Sequence, residues 1–435
     1  MTDPQFGLVA IAILFVLIAL RVPIAVALTG VSFAGIWYLI GWTPAFGTLK
    51  SVPYHFAAHW ELSSVPMFLL MGYLAYYTGI TRSLFGAAQV WMSRLPGGLA
   101  IASILGTSGF AAVTGSSVAC AAAMGRIAVP EMLRHRYDPG LATGTVAAAG
   151  TLGALIPPSI LLIIYGVVAQ VPVDKLFIGG AVAGLLSAFA WILLILMWGK
   201  LSPGVVPPVT EKYQLAEKLR ALSEIGPVVL LALLVFGGLF SGFFTPTEAG
   251  AVGAALVTII ALCRRSLSWS RFKLSIVETF VTTAAIFVIA IGAHLLTRFV
   301  AISGADEYIL DLFNSIDSNT LVLFVGIVLV YLVLGMFLDP LGAMLLTLPI
   351  LLPVVRSAGL DLVWFGIIMA KLLEMGLITP PVGLNVFVLK SVVGNEIPIG
   401  RIFRGVAYFL VADLVVVVTL MAFPKLVLFL PGLLG

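Results

Sequence analysis

The stretches GTLGALIPPS at residues 150–159 and EMGLITPPVG at residues 374–383 share one pattern: a glycine, three residues, then a proline pair, all inside otherwise apolar sequence. Proline has no N–H. In a helix, Pro157 leaves the carbonyl of Gly153 without its i+4 partner, Pro158 that of Ala154, and Pro380 and Pro381 those of Gly376 and Leu377. In lipid no water replaces the lost donor, and each orphan costs several kcal/mol unless something else binds it. A dehydrated cation is one such partner. The pattern therefore predicts two broken helices, each building half of an ion and substrate site.

Composition sets the surroundings of that site. Of 435 residues, 61% are hydrophobic and 10% charged, and the mean hydropathy is +1.17, which places the chain among polytopic helical membrane proteins. The start, MTDPQF, lacks the basic region and cleavage site of a secretory signal, so the first apolar run is expected to stay as a span. The formal charge of +4 orients loops and marks no nucleic-acid face. Cys120 and Cys263 stand alone, and no nucleophile, base and orienting acid fall together, so neither disulfide, metal site nor enzyme is indicated.

Apolar runs and breakers predict spans near 6–20, 22–42, 64–80, 141–170, 176–199, 225–243, 247–263, 277–300, 362–390 and 405–430. Two further runs, 97–133 and 319–355, are interrupted by TGSS at Thr114 and DPLG at Asp339, and read as re-entrant hairpins with buried tips. Segments 82–95 and 266–276 read as interfacial arms. Arg82, Arg134, Lys200, Arg264, Arg271 and Arg401 share one side with most other basic residues, which makes that side cytoplasmic and puts the N-terminus outside it.

The proline pairs are 380 − 157 = 223 residues apart, and the same shift carries Pro23 onto Pro246, Pro130 onto Pro353 and Ser116 onto Asp339. Each half then makes an odd number of crossings, so the halves have opposite orientation: an inverted repeat. The expected units are 1–205, with hairpin 97–133 and broken helix 141–170; a cytoplasmic linker, 206–223, with Pro207 and Pro208; and 224–435, with hairpin 319–355 and broken helix 362–390.

With hairpins entering from opposite sides, the tips meet the broken helices near the midplane. Thr114, Ser116 and Ser117 offer hydroxyls beside the freed carbonyls of Gly153 and Ala154; the second half offers Asp339, the Thr379 hydroxyl and the Gly376 carbonyl. Neutral hard oxygens suit Na⁺ better than a proton, while Asp339 keeps proton coupling open. Neither tip nor proline loop holds Arg or Lys, so an anion must rest on half-helix N-termini, where Ser159, Gly383 and Asn385 stand.

At these residues the chain resembles the large membrane subunit of tripartite ATP-independent periplasmic (TRAP) transporters. The resemblance covers essentially the whole chain: RVPIA at Arg21, TGSSVA at Thr114, the first proline-pair stretch, TPTEAG at Thr245, GMFLDP at Gly335 and TPPVGLN at Thr379. It implies an all-α membrane protein of the ion transporter superfamily, an inverted repeat of about 10–11 transmembrane helices plus two hairpins working as an elevator. It also implies Na⁺ coupling in a multi-pass bacterial inner-membrane protein with a periplasmic N-terminus. A small four-span membrane subunit and a periplasmic binding protein would be its partners, delivering an organic acid such as a C4-dicarboxylate, sialic acid or sulfonate. The implied ion ligands extend the set above to Ile156, Pro158, Gly335 and Pro381, with Ser117 joining the substrate residues. Thr114 stands where the family commonly has serine; the hydroxyl remains.

Rival readings are a stand-alone Na⁺- or H⁺-coupled carrier of the same superfamily and an intramembrane enzyme. Among ionisable residues within spans, Lys371 and Glu374 stand three apart on one helix, where mutual neutralisation and a site role weigh equally. Glu248 reads as a helix cap, Asp413 as structural, and His55, His59 and Glu61 as an external interfacial loop.

Overall fold

A computed structural model describes residues 3–80, 82–201, 206, 213–315, 320–394 and 396–434. The described residues are helical, without strands. The first half runs α1 (Asp3–Ala19), α2 (Ile24–Ile40), α3 (Trp42–Ala57), α4 (Ser64–Thr78), α5 (Arg82–Met92), α6 (Gly98–Thr114), α7 (Ser117–Arg134), α8 (Pro139–Gly150), α9 (Ile160–Ala169) and α10 (Val173–Leu201). The second runs α11 (Leu215–Phe240), α12 (Pro246–Cys263), α13 (Trp269–Ser303), α14 (Ala305–Ser315), α15 (Thr320–Phe337), α16 (Pro340–Ser357), α17 (Leu362–Gly376), α18 (Leu384–Val393), α19 (Ile399–Ala422) and α20 (Lys425–Leu434). Six of these helices, α10 to α13, α16 and α19, are long and apolar enough to cross a membrane.

Adding 223 to the bounds of α7 (117 and 134) gives 340 and 357, those of α16; adding it to α5 (82 and 92) gives 305 and 315, those of α14. Contacts between the halves obey the same mapping. Helix α2 lies against α13 while α12 lies against α4; α8 lies against α19 while α17 lies against α10. Such reciprocity is what a two-fold relation between halves requires. One close approach is glycine on glycine: a Cβ on Gly144 of α8 would sit 2.5 Å from the carbonyl carbon of Gly405 on α19.

Local chemistry explains where elements start. Thr245 and Glu248 form a reciprocal capping box, the Glu248 N–H donating to Thr245 Oγ1 at 3.3 Å and the Thr245 N–H to Glu248 Oε2 at 2.9 Å, so Glu248 is the cap its position suggests. The expected arm 266–276 is different. Residues 269–303 contain no proline and a single glycine, Gly292, so the arm continues as one 35-residue helix into the following span. In the first half the matching segment breaks between Ala57 and Ser64, and what read as an external loop contains the helix α3 with Trp42, Phe46 and Tyr54 exposed. The core of the expected linker, 207–212 with Pro207 and Pro208, lies outside the described residues; from Leu215 onward the chain is already helical. Pro424 separates α19 from α20, where one span over 405–430 was expected.

An ion pair ties the halves at one end of α8. Asp138 caps that helix, its Oδ1 accepting from the N–H groups of Gly140 (2.7 Å) and Leu141 (3.1 Å), while Arg401 donates to Oδ2 at 2.8 Å. Burial alone would raise this carboxyl. The Arg401 guanidinium and the two N–H groups outweigh it and hold Asp138 below the usual carboxylate range. A carboxyl with a depressed folded-state pKa adds stability above its unfolded value, and that contribution is lost as pH falls through the folded value. Arg401→Ala is therefore expected to lower the melting temperature at neutral pH. The gap from the parent should shrink below about pH 4. Tryptophan-fluorescence melts in detergent check this, and a gap independent of pH would contradict it.

Candidate functional site

Each hairpin tip packs on the broken helix of its own half. In the first half, Gly115 turns the chain with φ of 62° and Ser116 caps α7, its Oγ accepting from the Ala119 N–H at 3.4 Å. Gly153, in the short 3-10 turn Thr151–Ala154 that follows α8, lies so near that a Cβ there would be 2.6 Å from the Ser116 carbonyl and 2.7 Å from the Ser117 nitrogen. A Cβ on Gly115 would likewise meet the carbonyl oxygen of Pro158. Thr114 donates to the Phe110 carbonyl at 3.1 Å and touches Cys120 Sγ at 3.3 Å. Ile156 is buried at the break, its N–H donating to the Leu152 carbonyl at 2.8 Å.

The second half repeats the arrangement. Asp339 caps α16, Oδ1 accepting from the Gly342 N–H at 2.9 Å, so the aligned residues Ser116 and Asp339 perform one structural task. Gly335 near the end of α15 and Gly376 at the end of α17 touch backbone to backbone: a Cβ on Gly376 would be 2.5 Å from Gly335 Cα. Thr379 Oγ1 donates to the Met375 carbonyl at 2.7 Å. The two loops differ in enclosure. Pro157 and Pro158 are buried, whereas Pro380 and Pro381 are exposed.

Both helices are broken at the proline pairs, but the freed carbonyls are less bare than expected. Ser159 Oγ donates to the Ala154 carbonyl at 2.6 Å, the Thr379 N–H to that of Gly376 at 3.1 Å, and the Asn385 N–H to that of Leu377 at 3.0 Å. The physical reason is loop closure: each loop turns back far enough for Ser159 and Asn385, beyond the prolines, to donate into the break, while Thr379 just before its pair donates three residues back. A carbonyl keeps a second lone pair after one hydrogen bond, so these oxygens retain the capacity to ligate.

The tips and breaks converge on one cavity of about 520 Å³. Its wall includes Thr114, Ser116 and Ser117 from the first tip, Asp339 and Pro340 from the second, and Ala154, Glu374 and Leu377 from the broken helices. Helices α4 and α13 close it with Tyr73, Tyr76 and Thr282, and Tyr73 and Thr282 hydrogen-bond across that boundary at 2.8 Å. Sequence reading missed these; the signal was Tyr73, Tyr76 and Tyr77 on one face of an apolar span.

Glu374 is the residue whose role changes most. Lys371 does not neutralise it, because Lys371 Nζ sits 2.5 Å from Asp413 Oδ1 on α19, with both side chains fully buried. Glu374 instead crosses to the other half, where Oε2 accepts from Ser117 Oγ at 2.5 Å. Of the residues expected to face substrate, Ser117 alone lines this cavity. Ser159 caps α9, accepting from the Leu162 N–H at 3.2 Å; Gly383 precedes α18 with φ of 60°; and Asn385 is fully buried, neither side-chain amide atom finding a hydrogen-bond partner among the described residues. They stand at half-helix N-termini as expected, behind the wall rather than on it.

Residues 11–426 match the family model described as "Tripartite ATP-independent periplasmic transporter, DctM component". The chain belongs to that family. Similar proteins include the C4-dicarboxylate TRAP transporter large permease protein DctM of Pseudomonas aeruginosa, 35% identical over 87% of this chain and 87% of that protein. The sialic acid TRAP transporter large permease protein SiaM of Vibrio cholerae is 32% identical over 86% of this chain and 87% of its own length. A solved structure, the Alcanivorax borkumensis YdaH transporter, superposes with a TM-score of 0.60 over 88% of this chain and 89% of that one at 14% identity, a likeness of fold alone. As a DctM component, the chain is a transporter permease and not an enzyme.

Proposed function

We propose that this DctM-family chain is the translocating subunit of a Na⁺-coupled secondary importer of organic acid anions. A periplasmic binding protein delivers the anion and a small four-span membrane subunit completes the permease. The observation that carries the reading is the single cavity at which both hairpin tips and both broken helices meet. Thr114, Ser116, Gly153, Ile156 and Pro158 form the first Na⁺ site, and Gly335, Asp339, Gly376, Thr379 and Pro381 the second. The anion binds between them, at Ser117 on the cavity wall, with the half-helix ends bearing Ser159, Gly383 and Asn385 behind that wall. Tips and broken helices move together as an elevator against a scaffold formed by the other spans, with the N-terminus in the periplasm and the basic loops in the cytoplasm. With two Na⁺ per monoanion, one net charge moves inward, worth about 2.3 kcal/mol per 100 mV.

Reconstitution with both partners tests this. The probes follow the names of relatives: a C4-dicarboxylate, sialic acid and, from the isethionate permease DctMQ of Oleidesulfovibrio alaskensis (33% identical over 81% of this chain), isethionate. Uptake of one of them should require an inward Na⁺ gradient and rise with a negative interior potential. Undiminished uptake in choline buffer rejects Na⁺ coupling, and full uptake by this chain alone rejects the tripartite assembly.

A further inference from the structure

The cavity contains a carboxylate that the two tip sites leave unused. Glu374 is 1% exposed; Ser117 satisfies its Oε2, and Oε1 is buried with no hydrogen-bond partner among the described residues. An ionised carboxylate out of water needs a counter-charge. Lys371, one turn away on the same helix, is already committed to Asp413. The same wall includes a second carboxylate, Asp339, with one oxygen held by the Gly342 N–H, and among the described residues no Lys, Arg or His lines the cavity. An organic anion entering this space meets two acidic groups and no fixed positive charge. Something mobile has to reverse that field.

We propose that Glu374 and Ser117 hold a monovalent cation on the cavity wall, distinct from the cation sites at the two hairpin tips. The ligands would come from two wall residues: the Glu374 carboxylate, whose Oε1 is buried without a hydrogen-bond partner among the described residues, and Ser117 Oγ, which donates its proton to Oε2 and keeps its lone pairs. Carboxylate and hydroxyl oxygens are hard donors, suited to Na⁺ and poorly suited to a soft metal. The cation offsets Glu374 and presents positive charge towards the anion, so the site serves a protein that has no arginine or lysine there. Glu374 belongs to the second half and Ser117 to the first, so the cation also fastens the two halves at their contact. The proposal deepens the reading of this cavity as the transport site and rests on it.

Na⁺ itself is the probe. The purified chain, assembled with its small subunit, is melted across a series of NaCl concentrations at constant ionic strength in choline chloride, since a ligand that binds the folded state raises its melting temperature. Glu374→Gln preserves shape and the hydrogen bond to Ser117 but removes the charge. It should raise the Na⁺ concentration of half-effect on the order of tenfold or more. Ser117→Ala should move it in the same direction, and decides the matter if the glutamine variant fails to insert. Asp339→Ala, which strikes the second tip site only, should leave a Na⁺ response that adding Glu374→Gln weakens further, the first tip site supplying what remains. A parental Na⁺ curve in both Glu374→Gln and Ser117→Ala overturns the wall site while leaving Na⁺ coupling intact. A wild-type protein indifferent to Na⁺ overturns the coupling itself.

Discussion

Lys371→Met should destabilise the protein by about 3–5 kcal/mol, and adding Asp413→Leu should recover most of the loss. Lys371 Nζ and Asp413 Oδ1 are 2.5 Å apart with both side chains fully buried, and the ammonium lies 5.1 Å from the centre of the Trp191 ring. Three helices meet there: α17, α19 and α10. Removing the lysine leaves a carboxylate inside the protein with neither water nor a counter-ion, which is why one substitution costs more than two. The single variant is expected to melt at lower temperature and accumulate poorly in the membrane, and the double variant to approach the parent in both. Uptake by the double variant should follow its abundance, because the pair lies outside the cavity wall. Loss of uptake by a well-folded double variant would assign the pair a part in transport instead.

That pair also marks where sequence reading stops. Breakers are local, so Gly115, Asp339 and the proline pairs announced the tips and breaks, and a single shift of 223 related elements whose ends now coincide. Partners across the fold are not local. Glu374 and Ser117 are 257 residues apart, and no spacing rule on α17 could prefer Ser117 to Lys371, three positions away on the same helix. Satisfaction of the freed carbonyls was hidden for another reason. Whether Ser159 reaches Ala154, or the Asn385 N–H reaches Leu377, depends on how tightly each loop closes, and residue identity alone leaves that undetermined. Helix α3 escaped notice because its residues mix aromatic, small and polar types in an interfacial pattern. It is too polar to count as a span and too apolar to be a plain loop.

Gly376→Ala is expected to cut initial uptake on the order of a hundredfold, the scale on which a displacement of about 1 Å disables a positioned site. The methyl group would sit 2.5 Å from Gly335 Cα and from its carbonyl carbon, where carbon atoms in contact normally lie about 3.5–4.0 Å apart. Backbone stands on both sides of the clash, so no side chain can rotate away. The end of α15 and the end of α17 must separate, and with them the Asp339 tip from the broken helix. Gly153→Ala repeats the experiment in the first half, where the methyl would be 2.6 Å from the Ser116 carbonyl and would push that tip off its own break. Gly237→Ala is the control: it lies in α11 with nothing within 4 Å of the added carbon, and should transport as the parent does. Initial rates in proteoliposomes, normalised to inserted protein, give the comparison. Parental rates for Gly376→Ala and Gly153→Ala would mean that contact between tip and break is not what aligns the ligands. Loss in both, with Gly237→Ala unaffected, would tie transport to the two places where the repeat brings backbone against backbone.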